Sequence, residues 1–223
     1  RSLELLSMHL LRKRARTEEK DIGVGGEKLS AFLDTIKGAD RDKLVSMLKS
    51  FYPRVADFKI SKVQGGGKKL EVIETFGNYK LETEATHLND GLLRMLAILA
   101  QSASGHSLVL LDEIENGINQ EVIEKLVDTL VASPQQLVVT THSPLILNFL
   151  EDDLAKKAVQ FIYKTPQGES RIRPFFDIPR IAEKLNYMAP GDALVDTDLA
   201  ALTKECIGMD SSGDSLPSRG EGE

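Results

Sequence analysis

Two short apolar segments constrain the fold of this chain most strongly. Leu108–Leu111 is a run of four apolar residues, and a second apolar run begins residues 137–141. Helical patterns cover residues 91–103, before the first run, and residues 120–132, between the two runs. Short all-apolar strands that are separated by helices are typical of a parallel sheet buried on both faces. The sequence therefore predicts an α/β fold with a largely parallel core sheet.

A different pattern precedes this core. Apolar residues at helical spacing predict helices over residues 28–37 and 40–51. Residues 55–83 then alternate with a period of two, and glycine-rich turns at Gly65-Gly66-Gly67 and Gly77-Asn78 interrupt them. Alternation with such turns predicts an antiparallel β meander.

The remaining segments complete the predicted organisation. We expect a short helix near residues 144–150 and a closing hairpin around Gln167-Gly168. Residues 1–27 are predicted to be a linker or the remnant of a preceding element. Residues 28–205 are predicted to form one lobe, and residues 206–223 a disordered tail, because the chain from Asp210 onward is rich in Ser, Gly, Pro and Glu.

Composition narrows the class of protein. The net charge is -6, with both signs spread along the chain, so no basic stripe argues for nucleic acid, and DNA contact through a local patch stays open. The single cysteine, Cys206, excludes an internal disulfide and fits a reducing compartment such as the cytoplasm. No apolar run approaches the roughly 20 residues that span a bilayer, so we expect no membrane partner.

Two acidic residues follow the first apolar strand. Asp112 and Glu113 come directly after Leu108–Leu111, and ligands of open α/β sheets bind at the carboxyl ends of the strands. Phosphate hydrolysis needs one carboxylate for Mg²⁺ and a neighbour that orients or deprotonates the attacking water. Asp112 is placed for the metal and Glu113 for the water. The alternative for this motif alone is a strand end followed by an acidic helix cap.

A histidine follows the second apolar strand. The segment Val138-Val139-Thr140-Thr141-His142-Ser143-Pro144 ends a strand in polar residues, where the imidazole of His142 could donate a hydrogen bond to a γ-phosphate. The alternative is a histidine in a satisfied polar pocket. His9, His87 and His106 have no such context.

A third motif precedes the predicted helix over residues 91–103. In Leu88-Asn89-Asp90-Gly91-Leu92, Asn89 or Asp90 can cap the helix. The helix N-terminus beside Gly91 can receive a phosphate oxygen. Taken alone, the segment also reads as an ordinary capped helix.

The order and spacing of the three motifs resemble the signature, Walker B and switch-histidine series of ABC-type ATPases. Leu88-Asn89-Asp90-Gly91-Leu92-Leu93-Arg94 is similar to the Leu-Ser-Asp-Gly-x-x-Arg signature of RecF/SMC-like AAA ATP-binding proteins, with Asn89 in place of serine. The stretch from Asp112 to Ile118 is similar to their Glu-Glu-Pro-Glu-Asn-Gly-Leu, and residues 140–144 match their Thr-Thr-His-Ser-Pro. The resemblance extends over about residues 25–202 and implies a three-layer, P-loop NTPase-like (ABC-type) head.

The resemblance also implies site residues and partners. Two heads would dimerise head to tail around two ATP molecules and Mg²⁺, with Asn89, Asp90 and Gly91 on the nucleotide of the other head. Residues 115–119 would be the D-loop at that interface, which places Asn119 near the nucleotide. Arg94 would link the nucleotide state to an attached arm or an effector protein.

The phosphate-binding P-loop is missing from the printed sequence. Walker A needs Gly, four residues, then Gly-Lys and Ser or Thr. Lys69 follows the Gly67-Lys68 pair, and position 62 is a lysine, so this stretch reads as a hairpin turn. We therefore expect an N-terminal P-loop lobe on the same or a separate chain, and the start at Arg1 favours a fragment of a longer ATPase.

Three functions stay open from the sequence. The first is ATP hydrolysis to ADP and phosphate, in DNA maintenance or anti-phage defence by family analogy. The second is a catalytically inactive nucleotide-sensing or protein-interaction module, which the missing P-loop and Asn89 favour. The third is a nuclease of the overcoming-lysogenization type. It has little support, because Asp196-Thr197-Asp198 is an isolated match to a metal-binding motif.

Overall fold

The computed structural model describes residues 6–16, 19–101 and 103–211. The chain divides into two compact units, Arg1–His142 and Ser143–Glu223. The sequence predicts one lobe over residues 28–205, and the structure instead places a boundary directly after His142. The short helix that follows this boundary packs within the second unit, against a helix 46 positions later in the chain.

The first unit holds the predicted helices and the predicted meander. Its helices are α1 (Met8–Leu11), α2 (Leu29–Thr35), α3 (Gly38–Phe51), α4 (Asp90–Gln101) and α5 (Ile123–Val131), the last preceded by a 3₁₀ turn at Gln120–Val122. Its first three strands are β1 (Val55–Lys62), β2 (Lys68–Phe76) and β3 (Tyr79–Glu84). They pair antiparallel in the order β1-β2-β3, which confirms the meander. The turns contain Gly65, Gly66 and Gly77 at positive φ, where glycine carries no Cβ penalty.

The first unit also contains a parallel strand pair. It consists of β4 (Leu108–Leu111) and β5 (Gln136–Val139). Val109 and Leu111 are buried, whereas Val138 is 48% exposed and Val139 is 37% exposed. The α/β class, with parallel core strands and an antiparallel meander, is confirmed. Among the described residues this parallel sheet has two strands, so β5 presents an apolar edge.

Helix α4 lies in the core of the first unit. Its residues from Gly91 to Gln101 are all buried, so neighbouring elements cover the helix on every side. One neighbour is α1. Leu6, Leu11 and Ile22 are buried too, so these three residues of the segment over residues 1–27, predicted to be a linker or the remnant of a preceding element, contribute to the core.

The second unit combines short helices with a hairpin. The helices are α6 (Pro144–Asn148), α7 (Asp152–Ala158), α8 (Pro179–Ala182), α9 (Pro190–Val195) and α10 (Leu199–Ser211), with 3₁₀ turns at Phe175–Asp177 and Glu183–Asn186. The predicted hairpin is confirmed as β6 (Gln160–Lys164) and β7 (Ser170–Pro174), which pair antiparallel.

The core of the second unit corrects the predicted tail. It includes Phe175, Phe176, Ile181 and Cys206. Helix α10 continues to Ser211, so the prediction of disorder is wrong for residues 206–211, because the buried Cys206 anchors the helix. Residues 212–223 lie outside the described residues. Among those that are described, no helix combines the length and the apolar character that a membrane crossing requires.

The Pro190-Gly191 segment has a packing role in the second unit. The side-chain oxygen of Asn148 accepts a hydrogen bond from the Gly191 backbone N–H at 2.6 Å. A Cβ at Gly191 would collide with the carbonyl oxygen of Pro144 and with Asn148. Glycine at this position therefore lets α9 approach α6 closely.

Candidate functional site

The parallel register brings the two polar strand ends together. Leu108 pairs with Gln136 and Leu111 with Val139, so β4 and β5 end at the same level of the sheet. The backbone N–H of Thr140 donates to the carbonyl oxygen of Leu111 at 2.9 Å, and this bond continues the ladder by one step. The residues after Leu111 therefore lie beside residues 140–142, as expected for strands that are parallel and in register.

Asp112 contacts the neighbouring strand end through its carboxylate. The Thr140 hydroxyl donates to Asp112 Oδ1. Among the residues that the structure describes, no group of three or more His, Cys, Asp or Glu side chains could hold a metal together. Mg²⁺ commonly uses one or two carboxylates and completes its shell with water and substrate phosphates. A single carboxylate at the open sheet edge fits that ion.

Glu113 and His142 form a pair at this edge. His142 Nε2 lies 3.4 Å from Glu113 Oε1, and the side chain of His142 is 85% exposed. The other carboxylate oxygen, Oε2, accepts a hydrogen bond from Asn116 Nδ2 at 3.3 Å. The fold thus brings the predicted base and the predicted phosphate-sensing imidazole together, with the imidazole open to a ligand.

Glu115 attaches the loop after β4 to the loop after β5. Its Oε1 accepts the backbone N–H of His142 at 2.8 Å. Its Oε2 is buried without a hydrogen-bond partner among the described residues. This contact fixes the position of the His142 backbone, from which the imidazole side chain extends. This role was absent from the sequence prediction, in which Glu115 only began the D-loop.

The motif before α4 forms a capped helix start. The side-chain oxygen of Asn89 accepts the backbone N–H of Leu92 at 2.8 Å, as an N-cap residue does. Asp90 pairs with Arg12, whose Nη2 lies 2.5 Å from Asp90 Oδ1. The same guanidinium donates to the carbonyl oxygen of Leu88 at 2.8 Å. Arg12 therefore contacts the residue before Asn89 and the residue after it.

Gly91 touches the predicted D-loop. A Cβ placed on Gly91 would lie 2.5 Å from the carbonyl oxygen of Gly117 and 3.3 Å from the Tyr52 hydroxyl. Gly117 itself has a φ of +73°, a conformation that favours glycine. The two glycines allow the signature motif and residues 115–119 to pack backbone against backbone. Burial raises the pKa of the neighbouring Tyr52.

Arg94 lies beneath the acidic pair that follows β4. It is 3% exposed, and its Nη2 donates to the carbonyl oxygens of Asp112 at 3.0 Å and Glu113 at 2.9 Å. Burial lowers the pKa of Arg94, and the neighbouring carboxylates of Glu113, Glu115 and Asp112 oppose that shift. The link from the nucleotide state to an arm or effector, which the resemblance implies for Arg94, stays a prediction.

Asn119 stands apart from these contacts. It is exposed, and its side chain makes no capping hydrogen bond to the 3₁₀ turn that follows. The structure thus brings Asp112, Glu113 and His142 to one edge and joins Asn89, Asp90 and Gly91 to the D-loop through Gly117. Asn119 remains on the surface of that loop.

Sequence reasoning missed the roles of Arg12, Thr140 and Glu115. Arg12 lies in a charged run and acts on a residue 78 positions away, which no local pattern signals. Thr140 belongs to the recognised motif after β5, but only the parallel register shows that its hydroxyl meets Asp112. Glu115 could have been suspected from its place in a polar loop that follows a buried strand.

Comparisons with known proteins give a family and a set of solved structures. The family model described as "AAA domain, putative AbiEii toxin, Type IV TA system" matches residues 8–148, which include every site residue named above. A comparison with curated proteins gives no match.

The similar solved structures are heads of SMC proteins. The Smc head domain with a coiled coil and joint derived from Pyrococcus yayanosii is 16% identical with a TM-score of 0.46, over 68% of this chain and 29% of that one. The SmcHead bound to the C-winged helix domain of ScpA is 17% identical with a TM-score of 0.48, over 74% of this chain and 52% of that one. A structure on ATP-driven dimerization of SMC ATPases is 14% identical with a TM-score of 0.42, over 66% of this chain and 91% of that one. The chain therefore spans 29% of the length of the first of these structures.

Proposed function

Because this chain belongs to the AAA domain family described as putative AbiEii toxin, Type IV TA system, we propose that it carries the hydrolytic half of an ATPase head. The reaction is the hydrolysis of ATP to ADP and phosphate. The observation that carries the proposal is the assembly of Asp112, Glu113 and His142 at the level ends of two parallel strands. Carboxylates and an imidazole in that order suit phosphoryl transfer to water.

Each of the three side chains has a distinct task. Asp112 holds Mg²⁺, which neutralises charge on the phosphate oxygens. Glu113 orients the attacking water and takes its proton, because its carboxylate reaches the site while Asn116 steadies one oxygen. His142 donates a hydrogen bond to the γ-phosphate and stays within 3.4 Å of Glu113. The metal ligand, the base and the residue that contacts the γ-phosphate thus lie at one edge of the sheet.

The site needs a cationic lobe to complete it. Asp112, Glu113 and Glu115 make this edge acidic, and a polyphosphate requires donors that balance its own charge. Strand β5 offers the place for such a lobe, since Val138 and Val139 are exposed on an edge strand. An additional parallel strand would cover these valines and satisfy the edge. We propose that a P-loop lobe, on the same or another chain, supplies that strand.

Head-to-tail dimerisation is the second part of the proposal. Asn89 and Gly91 lie at the start of α4, where backbone N–H groups can meet a phosphate held by a second head. The adjacent residues 115–119 include exposed positions such as Asn119, which suits an interface loop. This arrangement suits a homodimer. By analogy with the family, the proposal extends to a separate effector and to work in DNA maintenance or phage defence in the cytoplasm.

The deciding experiment measures Mg-ATP hydrolysis by this chain together with its P-loop lobe. Glu113→Gln keeps the size of the side chain and removes the base. We expect kcat to fall by about 10²–10⁴-fold while ATP binding persists. Glu124→Gln is the matched control, because Glu124 is an exposed carboxylate on α5. If the wild type binds ATP without turnover, the chain is instead a nucleotide-sensing or protein-interaction module. If Glu113→Gln keeps full activity as Glu124→Gln does, Glu113 is not the base.

A further inference from the structure

The backbone of Glu113 has an unusual conformation. Among the described residues, Glu113 is the one non-glycine residue with a positive φ, at +47°. Such a conformation is unfavourable for a residue with a Cβ and persists only where the surroundings hold it in place. The question is which groups hold it.

Arg94 holds the carbonyl side of this segment. Its buried guanidinium donates to the carbonyl oxygens of both Asp112 and Glu113, at 3.0 and 2.9 Å. Two hydrogen bonds from one planar, charged group fix the direction of two successive peptide units. Nη1 of the same side chain lies 3.5 Å from the carbonyl oxygen of Leu6, a contact at the limit of hydrogen bonding.

Thr140 holds the amide side of the same segment. Its hydroxyl oxygen accepts the backbone N–H of Glu113 at 3.0 Å, and its hydroxyl proton goes to Asp112 Oδ1. The same hydroxyl thus accepts a hydrogen bond from Glu113 and donates one to Asp112. Part of the free energy of these bonds offsets the unfavourable backbone of Glu113, so we expect their net contribution to the stability of the chain to be small.

We propose that Arg94 and Thr140 are positioning residues that clamp the Asp112-Glu113 segment in its left-handed conformation and so aim both carboxylates for hydrolysis. This inference rests on the proposed ATPase function. Arg94 fixes the carbonyl oxygens of Asp112 and Glu113 by hydrogen bonds from α4. Thr140, directly after β5, fixes the Glu113 amide and the Asp112 carboxylate. Neither side chain touches the reacting atoms.

The clamp also connects two parts of the site. Arg94 lies four residues after Asp90 on α4, so it is one helical turn from the start of that helix. A displacement of the helix start, where Asn89 and Gly91 would meet phosphate, moves the guanidinium and therefore the carbonyl oxygens of Asp112 and Glu113. Phosphate contact at one head is in this way transmitted to the base of the same head.

The first test compares two substitutions at Thr140 in the chain together with its P-loop lobe. Thr140→Val keeps the shape and removes the hydroxyl, whereas Thr140→Ser keeps the hydroxyl. We expect Thr140→Val to lower kcat about 10–100-fold, the range for groups that orient a metal or catalytic site from behind. ATP affinity should stay within about twofold, because hydroxyl loss removes no phosphate contact. Thr140→Ser should keep most of the activity.

Arg94→Lys tests the other side of the clamp. Lysine keeps the charge but is shorter than arginine by about one bond and ends in a single nitrogen. It therefore does not place a donor where Nη2 lies, and kcat should fall while the chain still folds. Thr129→Val and Arg171→Lys are matched controls on α5 and on β7, because the polar contacts of Thr129 and Arg171 are with Lys125 and Glu169. Wild-type turnover together with full kcat for Thr140→Val and Arg94→Lys would overturn the proposal.

A second measurement tests the clamp without any turnover. Asparagine tolerates a left-handed backbone several-fold better than most residues, and glutamine does not share this tolerance. With Thr140 intact, Glu113→Asn should therefore give a several-fold larger folding equilibrium constant than Glu113→Gln in urea unfolding. In the Thr140→Val background this ratio should approach one. An unchanged ratio would show that Thr140 does not hold the backbone, whereas a wild type without turnover contradicts only the ATPase function.

Discussion

Replacing Gly91 with alanine tests the contact between the signature motif and the D-loop. The added Cβ would lie 2.5 Å from the carbonyl oxygen of Gly117, whereas ordinary contact starts at 3.4 Å. The obstructing atom belongs to the backbone and cannot rotate away as a flexible side chain could. Gly117 also sits at a φ of +73°, so the loop has few other conformations to adopt. Either the start of α4 or residues 115–119 must shift.

The expected cost follows from this geometry. Overpacking in a dense region costs about 1–3 kcal/mol of unfolding free energy. The distance from the added Cβ to the backbone oxygen is about 0.9 Å shorter than an ordinary contact, so we expect a cost near the upper end of that range. Alanine recovers part of this loss, because it restricts the unfolded chain and favours helix by about 1 kcal/mol. The net loss of unfolding free energy should therefore be about 2 kcal/mol.

Urea denaturation of the wild type and the variant measures this difference. At a slope of about 2 kcal/mol/M, the midpoint should fall by about 1 M with an unchanged slope. Gly105→Ala is the matched control in the same unit, since its Cβ would meet nothing within 4 Å and its φ is not positive. We expect that control to gain about 0.4–1 kcal/mol. If Gly91→Ala gains stability as the control does, the close approach of the two loops is refuted.

Two further predictions concern the capping of α4 and the pH dependence of stability. Asn89→Ala should lose about 1 kcal/mol of unfolding free energy because the cap to the Leu92 N–H is lost, whereas Asn89→Ser should stay near the wild type. Equal losses of unfolding free energy for the two variants in thermal melts would contradict the capping role. The ammonium group of the buried Lys68, 2.7 Å from the carboxylate of Asp34, lowers the pKa of Asp34 below its usual 3.8, against the opposing effect of burial. A lowered folded-state pKa stabilises the chain above the unfolded pKa, and that stability disappears as the pH falls through the folded value. Asp34→Asn should thus cost about 1–2 kcal/mol at pH 7 and progressively less below about pH 4, as urea midpoints at both pH values would show; a loss that is independent of pH would count against the ion pair.

The positions of the catalytic side chains were accessible from the sequence because they depend on local order. Asp112 and Glu113 follow an apolar strand, and His142 follows another. Parallel strands then bring their carboxyl ends to one edge whatever the details of packing. The pairing of Glu113 with His142 at 3.4 Å needs little more than the register of β4 with β5.

The contacts of Arg94 show what a motif leaves open. The signature-like segment gives the position of Arg94 on α4, one turn after the helix start. The structure adds that its buried guanidinium donates to the carbonyl oxygens of Asp112 and Glu113. Periodicity assigns Arg94 to a side of the helix, but it cannot tell which element packs against that side.

By itself, the sequence determined the kinds of elements and their order. Period-two alternation, apolar runs and glycine turns select strands and helices through burial and backbone sterics, which act over a few residues. Tertiary structure alone decided the division after His142, the contact of Arg12 with Asp90 and the approach of Gly91 to Gly117. It also decided the left-handed backbone of Glu113. These features join residues that are distant along the chain, and their energies depend on distances of a few ångströms that exist only once the elements have packed.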